Sequence, residues 1–187
     1  MTELFSGKEQ AELKDSKTKR KIAIAFLKLR DKCLPERIKV KDICEVANIN
    51  KTTFYNHYTD ALELSNEIDD ESIDRIINIF PEKLCLFESP KTYIEGLASA
   101  IDREFDNIKI IFNDRVDVLC TKLEAKLKFF YENTKQTPEK QITASFAIGG
   151  AVGILKDRFF DSEEKHFEKK RFSECTSKFI TAVTMLC

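Results

Sequence analysis

The sequence predicts an all-α fold in two domains, residues 1–62 and residues 63–187. Only five Gly and four Pro occur in 187 residues, and 34% of the residues are charged, a composition that favours long helices over a turn-rich β protein. Apolar residues recur at steps of three and four along most of the chain, as on the buried face of amphipathic helices. We therefore expect an N-terminal three-helix domain joined by a long helix to a C-terminal helical bundle.

The first helix is expected to begin near Ser16, a good N-cap, and to end near Cys33, before Pro35. Its apolar positions share one face at steps of four, three and four: Ile22, Phe26, Leu29 and Cys33. Residues before Asp15 are polar and lack this periodicity, which predicts a frayed or disordered arm.

Two short helices joined by a tight turn are predicted between residues 40 and 58. The first has an apolar stripe formed by Val40, Ile43, Val46 and Ala47. Asn48 tolerates the left-handed conformation that ends a helix abruptly, Ile49 can be buried in the turn, and Asn50 can cap the next helix. Phe54 and Tyr58 then pack inward, four residues apart. The pattern predicts a helix-turn-helix, a motif that reads DNA in many proteins.

Polar and cationic side chains remain on the outward side of the second short helix: Lys51, Thr52, Thr53, Tyr55, Asn56 and His57. These groups suit base edges and phosphates. The spacing of these residues is equally compatible with a helical hairpin on the protein surface, whose polar side chains contact only water. The charge favours nucleic acid, because twelve Lys or Arg stand against five acids between Lys14 and Lys51 in a chain of net charge −1.

Residues 18–29 and 40–64, and above all the run Thr53-Phe54-Tyr55-Asn56-His57-Tyr58, resemble the N-terminal domain of TetR-type bacterial transcriptional regulators. The resemblance covers about the first third of the chain. It implies that Lys51, Thr52 and Thr53 approach base edges, with Asn56 facing the groove one turn later. It also implies that Tyr55 and His57 hold phosphates and that Thr18 touches the DNA backbone.

Two positions depart from the family pattern. Lys39 stands where the family has a Thr cap, so a cap of about 1 kcal/mol is lost, while Lys39 and the neighbouring Lys41 are expected to add phosphate contacts. Ala61 replaces the Lys with which relatives contact phosphate from the start of the fourth helix.

Five further helices are expected after the motif, beginning with a long helix from about Thr59 or Asp60 to Phe80, before Pro81. This helix would connect the DNA-reading domain to the remainder of the chain. A segment after Pro90 and another from about Asp114 to Tyr131 follow. Their apolar positions are Tyr93, Leu97, Ile101 and Phe105 in the former and Val118, Leu119, Leu123, Leu127 and Phe130 in the latter.

The last two predicted helices start at Pro138 and near Phe172. The Pro138 helix is rich in Gly and Ala, which lets another helix approach closely, and the resemblance implies that both helices form a four-helix interface in a homodimer. The expected interface residues are Ala144, Ala147, Gly150, Ala151, Ile154, Cys175, Phe179, Ala182 and Val183. An intramolecular core pair stays open as the alternative.

Several classes of site are disfavoured by the sequence. Six cysteines lie far apart without a CxxC pair, which favours core packing over disulfides or zinc. His57 has no carboxylate or Cys at ligand spacing, and the second histidine, His166, lies in a charged run, so neither a metal site nor a catalytic set is expected. The protein is expected to be no enzyme and to need no cofactor.

The longest nearly apolar run, Ala144 to Leu155, is too short to span a membrane, so a cytoplasmic protein is expected. Aromatic residues of the C-terminal half could line a ligand pocket or fill the core, and helical spacing favours the core. They are Phe80, Phe87, Tyr93, Phe105, Phe112, Phe129 and Phe146.

The expected function is a homodimeric regulator that binds double-stranded operator DNA, with repression as the default and a small-molecule effector as a further option. The alternative is a helical interaction or co-activator protein of TetR-like architecture, controlled by a protein partner and contacting DNA weakly or without sequence preference.

Overall fold

The computed structural model describes residues 7–80, 86–132, 137–160, 178, 181 and 182. Every regular element in these ranges is helical, as the composition predicts. Internal contacts divide the chain into two units, Met1–Asp69 and Asp70–Cys187. The division falls after Asp69 rather than after residue 62, because the first turns of the fourth helix contribute buried residues to the first unit.

The first unit contains α1 (Gly7–Arg30), α2 (Val40–Ala47), α3 (Lys51–Tyr55) and the beginning of α4 (Ala61–Asn78). A single 3-10 turn, Pro35–Arg37, leads from α1 to α2. Helix α1 packs against α2, and α2 packs against α3. These two contacts fix the orientation of the turn between α2 and α3 within the unit.

Helix α1 is longer at its start than the sequence predicts. It begins at Gly7 and continues through Ser16, so the prediction of a cap at Ser16 and of a disordered arm before Asp15 is wrong. The early residues lack an apolar stripe, but Glu, Gln, Ala, Leu and Lys all have high helix propensity. The helix ends at Arg30, about one turn before the expected Cys33.

The core of the first unit is formed by side chains from all four helices. Phe54 and Tyr58 are buried as predicted, together with Ile22, Phe26, Ile43, Cys44, Leu64 and Ile68. The prediction for Val46 is wrong, since 44% of this residue is exposed. Val46 follows the buried Cys44 by two residues, which places it on the opposite side of the helix at about 100° per residue.

The second unit contains α5 (Pro90–Arg103), α6 (Phe105–Ile111), α7 (Val116–Glu132) and α8 (Pro138–Phe160). The sequence predicts one segment that includes Phe105 as an inward residue, but α5 ends at Arg103, and the φ of −97° and ψ of 5° of its C-cap, Glu104, leave the helical region. Phe105 starts the separate helix α6 and is exposed. Asp114, with a φ of 58°, marks the turn into α7.

Helices α7 and α8 pack against each other. Leu119, Leu123 and Leu127 of α7 are buried, as their spacing predicts. Glu124 reaches the backbone of α8, since a Cβ at Gly149 would lie 3.3 Å from Glu124 Oε1. No helix in the described part of the chain has the length and apolar character needed to cross a membrane.

Within the second unit, two lysines of α7 hold the last part of α4. Lys122 Nζ lies 2.6 Å from Asp70 Oδ1, and Lys126 Nζ lies 2.7 Å from Asp74 Oδ1. The two lysines are four residues apart, as are the two aspartates, so the two ion pairs lie one helical turn apart along the helices. Each partly exposed pair contributes modestly, about 0 to 1 kcal/mol, and mainly fixes the register of the helices.

The aromatic residues of the second unit differ in their burial, and Phe87 is half-buried, with its ring edge to face with that of Tyr131 at 5.9 Å. Phe80, Tyr93 and Phe112 are buried, and the rings of Phe80 and Tyr93 meet edge to face at 5.0 Å. These three residues pack as core residues do. Phe105, Phe129 and Phe146 are instead exposed at the surface of the chain.

We expect alkaline pH to destabilise the second unit through Cys120. Burial raises the pKa of this thiol to about 11, so the folded state resists its ionisation. Below about pH 8.5, the pKa of the thiol in the unfolded chain, the protonated thiol costs the folded state nothing. Above that pH only the unfolded chain loses the proton, so the free energy of unfolding declines by up to about 1.4 kcal/mol per pH unit until the pH reaches about 11. Urea unfolding at pH 7.5, 9, 10 and 11 measures the loss. The Cys120→Ala variant should lose less stability over this range, and equal losses in both proteins would contradict the assignment.

Candidate nucleic-acid interface

The turn between α2 and α3 has the geometry that the sequence predicts. Asn48 ends α2 with a φ of 52° and a ψ of 54°, in the left-handed region. The next residue, Ile49, donates its backbone N–H to the Cys44 carbonyl oxygen at 3.0 Å and is partly buried. The chain therefore reverses over three residues, Asn48 to Asn50, before α3 begins.

Asn50 caps α3, which confirms the expectation from its residue type. Its Oδ1 accepts hydrogen bonds from Thr53 N at 2.7 Å and from Thr53 Oγ1 at 2.9 Å. The hydroxyl proton of Thr53 is thus engaged in the cap, and its lone pairs remain as acceptors. Thr53 therefore stabilises the start of α3, in addition to the contact with DNA base edges that the sequence predicts for it.

Helix α3 is shorter than expected, because it ends at Tyr55 and Asn56 serves as its C-cap. Phe54 is buried and meets the Tyr55 ring edge to face at 5.6 Å. Tyr55 itself is 54% exposed. Four exposed side chains of α3 and its cap form what we call the recognition surface: Lys51, Thr52, Tyr55 and Asn56.

The flanking residues assigned to phosphate contacts differ in their surroundings. Lys39 is the exposed N-cap of α2 and makes no side-chain cap hydrogen bond, as its replacement of Thr predicts. Lys41 lies 3.6 Å from Glu45 in an exposed i,i+4 pair, which leaves its charge largely available. Thr18 lies partly buried on α1.

His57 is placed differently from the sequence expectation. Its side chain is only 9% exposed, and its Nδ1 lies 3.3 Å from Oδ1 of Asp15 on α1. The sequence gives no local signal for this pair, because Asp15 lies 42 residues before His57 along the chain. Little of the ring remains to meet a phosphate, and the ring is tied to α1.

A second polar cluster joins three helical segments of the first unit. Tyr58 donates its hydroxyl to Glu67 Oε1 at 3.2 Å, and Lys19 Nζ lies 3.4 Å from the same oxygen. The Lys19 ammonium also lies 5.4 Å from the centre of the Tyr58 ring. These contacts hold the end of the motif between α1 and α4, and no local sequence signal could have shown them.

The start of α4 is acidic where the family pattern has a lysine. Asp60 Oδ1 accepts from the backbone N–H groups of Leu62 and Glu63, each at 2.8 Å. Glu63 Oε2 accepts from Thr59 Oγ1 at 2.7 Å and from Thr59 N at 2.6 Å, and these bonds lower the pKa of Glu63. Two carboxylates therefore flank the partly buried Ala61.

The residues predicted for a dimer interface require correction. Ala144, Ala147 and Ala151 are buried within the chain and Gly150 is partly buried, so the alanines have no surface left for a second copy. Ala182 is helical and exposed. Four predicted positions lie outside what the structure describes: the side chain of Ile154, and Cys175, Phe179 and Val183.

The exposed face of α8 lies opposite its buried alanines. Ile142 is 71% exposed and Phe146 is 59% exposed, although both are apolar. Gly153 continues the same face two turns after Phe146, and a Cβ at this position would meet nothing within 4 Å. The small residues of α8 thus serve packing within the chain, while larger apolar residues meet solvent.

One comparison with known proteins finds a similar fold, at low sequence identity. No model of a protein family matches the chain, and no curated protein matches it. The solved structure of a protein described as "Dihydroxyacetone kinase operon activator DhaS" is similar, with a TM-score of 0.53 and 17% identity. The match covers 90% of this chain and 97% of that chain. The chain shares the all-helical architecture of that protein.

Proposed function

We propose that this protein is a sequence-specific DNA-binding transcription regulator of the TetR type, acting as a homodimer. The observation that carries the proposal is the capped helix α3, which exposes Lys51, Thr52, Tyr55 and Asn56 beyond a turn held by Asn48 and Asn50. A short helix that begins with backbone N–H groups and a cationic side chain, here Lys51, suits the major groove. The name of the structural neighbour, an operon activator, supports a role in transcription.

A homodimer is proposed because one helix of five residues reads few bases, and two copies spaced by a helical turn read a palindromic site. The exposed face of α8, with Ile142 and Phe146, supports contact with a second copy, since exposed apolar surface marks interaction sites. This face replaces the buried alanines as the proposed interface.

The regulatory output follows from where the dimer binds. Repression results when the dimer covers a promoter, and it remains the default output in this proposal. The name of the structural neighbour, an operon activator, supports activation of transcription as the alternative output. We further propose that a small-molecule effector binds the second unit and controls DNA binding. Such an effector must bind the DNA-bound and the DNA-free conformations of the protein with different affinities.

The proposal is tested by selecting duplexes from a random 20-base-pair library with the purified protein. We expect enrichment of a palindromic sequence, whose binding weakens steeply with added salt. Tyr55→Ala and Lys51→Ala should weaken binding of the enriched duplex by about tenfold or more. Lys91→Ala removes the same charge from the second unit and should leave binding unchanged. Failure to enrich any sequence would contradict the proposal.

Ala61→Lys should strengthen DNA binding by restoring a cation between the carboxylates of Asp60 and Glu63. One added phosphate contact is expected to raise affinity about 3- to 10-fold and to steepen the salt dependence by about 0.9 in log–log slope. Asn66→Lys, an exposed position further along α4, controls for the added charge alone. Equal effects of the two lysines would show that position 61 has no special access to phosphate.

The acidic start of α4 favours a second candidate function, a helical interaction or co-activator protein with weak DNA contact. Asp60 and Glu63 repel phosphates at the point where relatives attract them. Under this alternative the protein binds enriched and random duplexes equally, and a protein partner controls it.

A further inference from the structure

Helix α1 has an exposed face on the side that points away from the helix-turn-helix. Its buried residues, among them Ile22 and Phe26, pack into the core of the first unit. On the same side, the Lys19 ammonium lies against the Tyr58 ring at the end of the motif. At about 100° per residue, another set of residues lies on the opposite side of the helix, and all of them are exposed. We call this set the outer face of α1: Lys17, Arg20, Lys21, Ile24 and Lys28.

The four cations of the outer face have no hydrogen bond or ion pair to any described part of the chain. Lys19 differs from them, because it pairs with Glu67 at 3.4 Å. No Asp or Glu occurs from Ser16 to Arg30, so α1 itself supplies no acid to neutralise the face. Like charges one helical turn apart repel each other. An anionic partner would remove this repulsion.

The centre of the outer face is apolar. Ile24 lies among the four cations and is 45% exposed. Leu27, three residues later, is half-buried and borders the same face. An apolar centre within a charged rim is the anatomy of a contact between proteins. A nucleic-acid backbone would use the cations but not the isoleucine, and helices that lie on membranes bury a face with several large apolar residues.

We propose that the outer face of α1 binds an acidic segment of a partner protein. An apolar side chain of that segment covers Ile24, and its Asp or Glu side chains pair with the surrounding cations. Arg20 offers the planar fork that binds a carboxylate through two parallel hydrogen bonds. The outer face shares no residue with the recognition surface of α3, so the partner and DNA do not compete for the same side chains. The proposal thus goes beyond DNA binding.

The test measures binding of a fluorescently labelled synthetic peptide to the full-length protein by fluorescence anisotropy. The patterned peptide is a helix of about four turns with Leu and Glu on one face. A scrambled peptide of the same composition places Leu and Glu on different faces. The wild-type protein should bind the patterned peptide at least about fivefold more tightly, because only this peptide buries an apolar side chain against Ile24 while its acids reach the cations. Added salt should weaken this binding.

Charge reversal on the outer face tests the ionic contacts. Arg20→Glu combined with Lys21→Glu should weaken binding of the patterned peptide at least about tenfold, because attraction becomes repulsion. A patterned peptide with Lys in place of Glu should bind this variant more tightly than it binds wild type, which a loss of folding could not produce. Ile24→Ser should abolish the preference for the patterned peptide over the scrambled one. The control, Lys91→Glu combined with Lys109→Glu, changes exposed lysines of the second unit and should bind like wild type.

Three results would overturn the inference. The first is equal weakening by the two double variants, and the second is equal binding of the patterned and scrambled peptides to wild type. The third is a variant Arg20→Glu/Lys21→Glu that keeps peptide binding but loses binding to a random 20-base-pair duplex or to phosphatidylserine vesicles, which would assign the outer face to nucleic acid or lipid. Since no enriched duplex is used, failure of the proposed DNA-binding function would leave this inference standing.

Discussion

Phe54→Ala is expected to unfold the first unit, with a loss of about 3 to 5 kcal/mol of stability. Phe54 is fully buried, and the centroid of its ring lies 5.6 Å from that of Tyr55 and 5.8 Å from that of Tyr58. Its removal leaves a cavity beneath the turn that aligns α3. Urea unfolding followed by circular dichroism measures the loss, and DNA binding should disappear with the fold.

The neighbouring Tyr55→Ala is the matched control for this experiment. Tyr55 is half exposed, so its truncation should change stability by only about 0.5 kcal/mol, while the proposed function predicts weaker DNA binding. The two variants thus separate fold from recognition. If Phe54→Ala unfolds like the wild type, the described packing of α3 is wrong.

Phe146→Glu is expected to raise the dissociation constant of the proposed homodimer at least about 100-fold. A buried, unpaired carboxylate at an apolar interface costs several kcal/mol, and each 1.4 kcal/mol is about tenfold in affinity. Because Phe146 is largely exposed within the chain, the subunit should remain folded. Sedimentation velocity over a concentration series measures the shift from dimer to monomer.

Phe129→Glu provides a control with the same chemical change. Phe129 on α7 is 61% exposed, similar to Phe146, but does not belong to the exposed face of α8. This variant should keep the wild-type dissociation constant. Equal weakening by both substitutions, or a wild-type protein that is monomeric at all concentrations, would contradict the proposed interface.

Local features of the helix-turn-helix could be predicted because they depend on residue type and short spacing. Asn48 and Asn50 adopt the left-handed and capping conformations that their side chains favour. Phe54 and Tyr58 are buried because a step of four returns to the same side of the chain. The all-helical fold follows from the same periodicity.

Contacts between distant segments could not be predicted in this way. Asp15 and Glu67 show no local signal for their partners His57 and Tyr58. The alanines of α8 illustrate a related difficulty, because small residues indicate close packing without revealing whether the neighbouring helix belongs to the same chain. Periodicity does not reveal the start of α1, because helix propensity without an apolar stripe extends that helix toward Gly7.

The most direct test of the account is the ratio of two dissociation constants, measured at about 150 mM salt for the duplex enriched by selection and for a shuffled duplex of the same composition. If α3 reads base edges, the enriched duplex should bind at least about 100-fold more tightly. A ratio near one would show that the recognition surface carries no sequence preference and would contradict the proposed function.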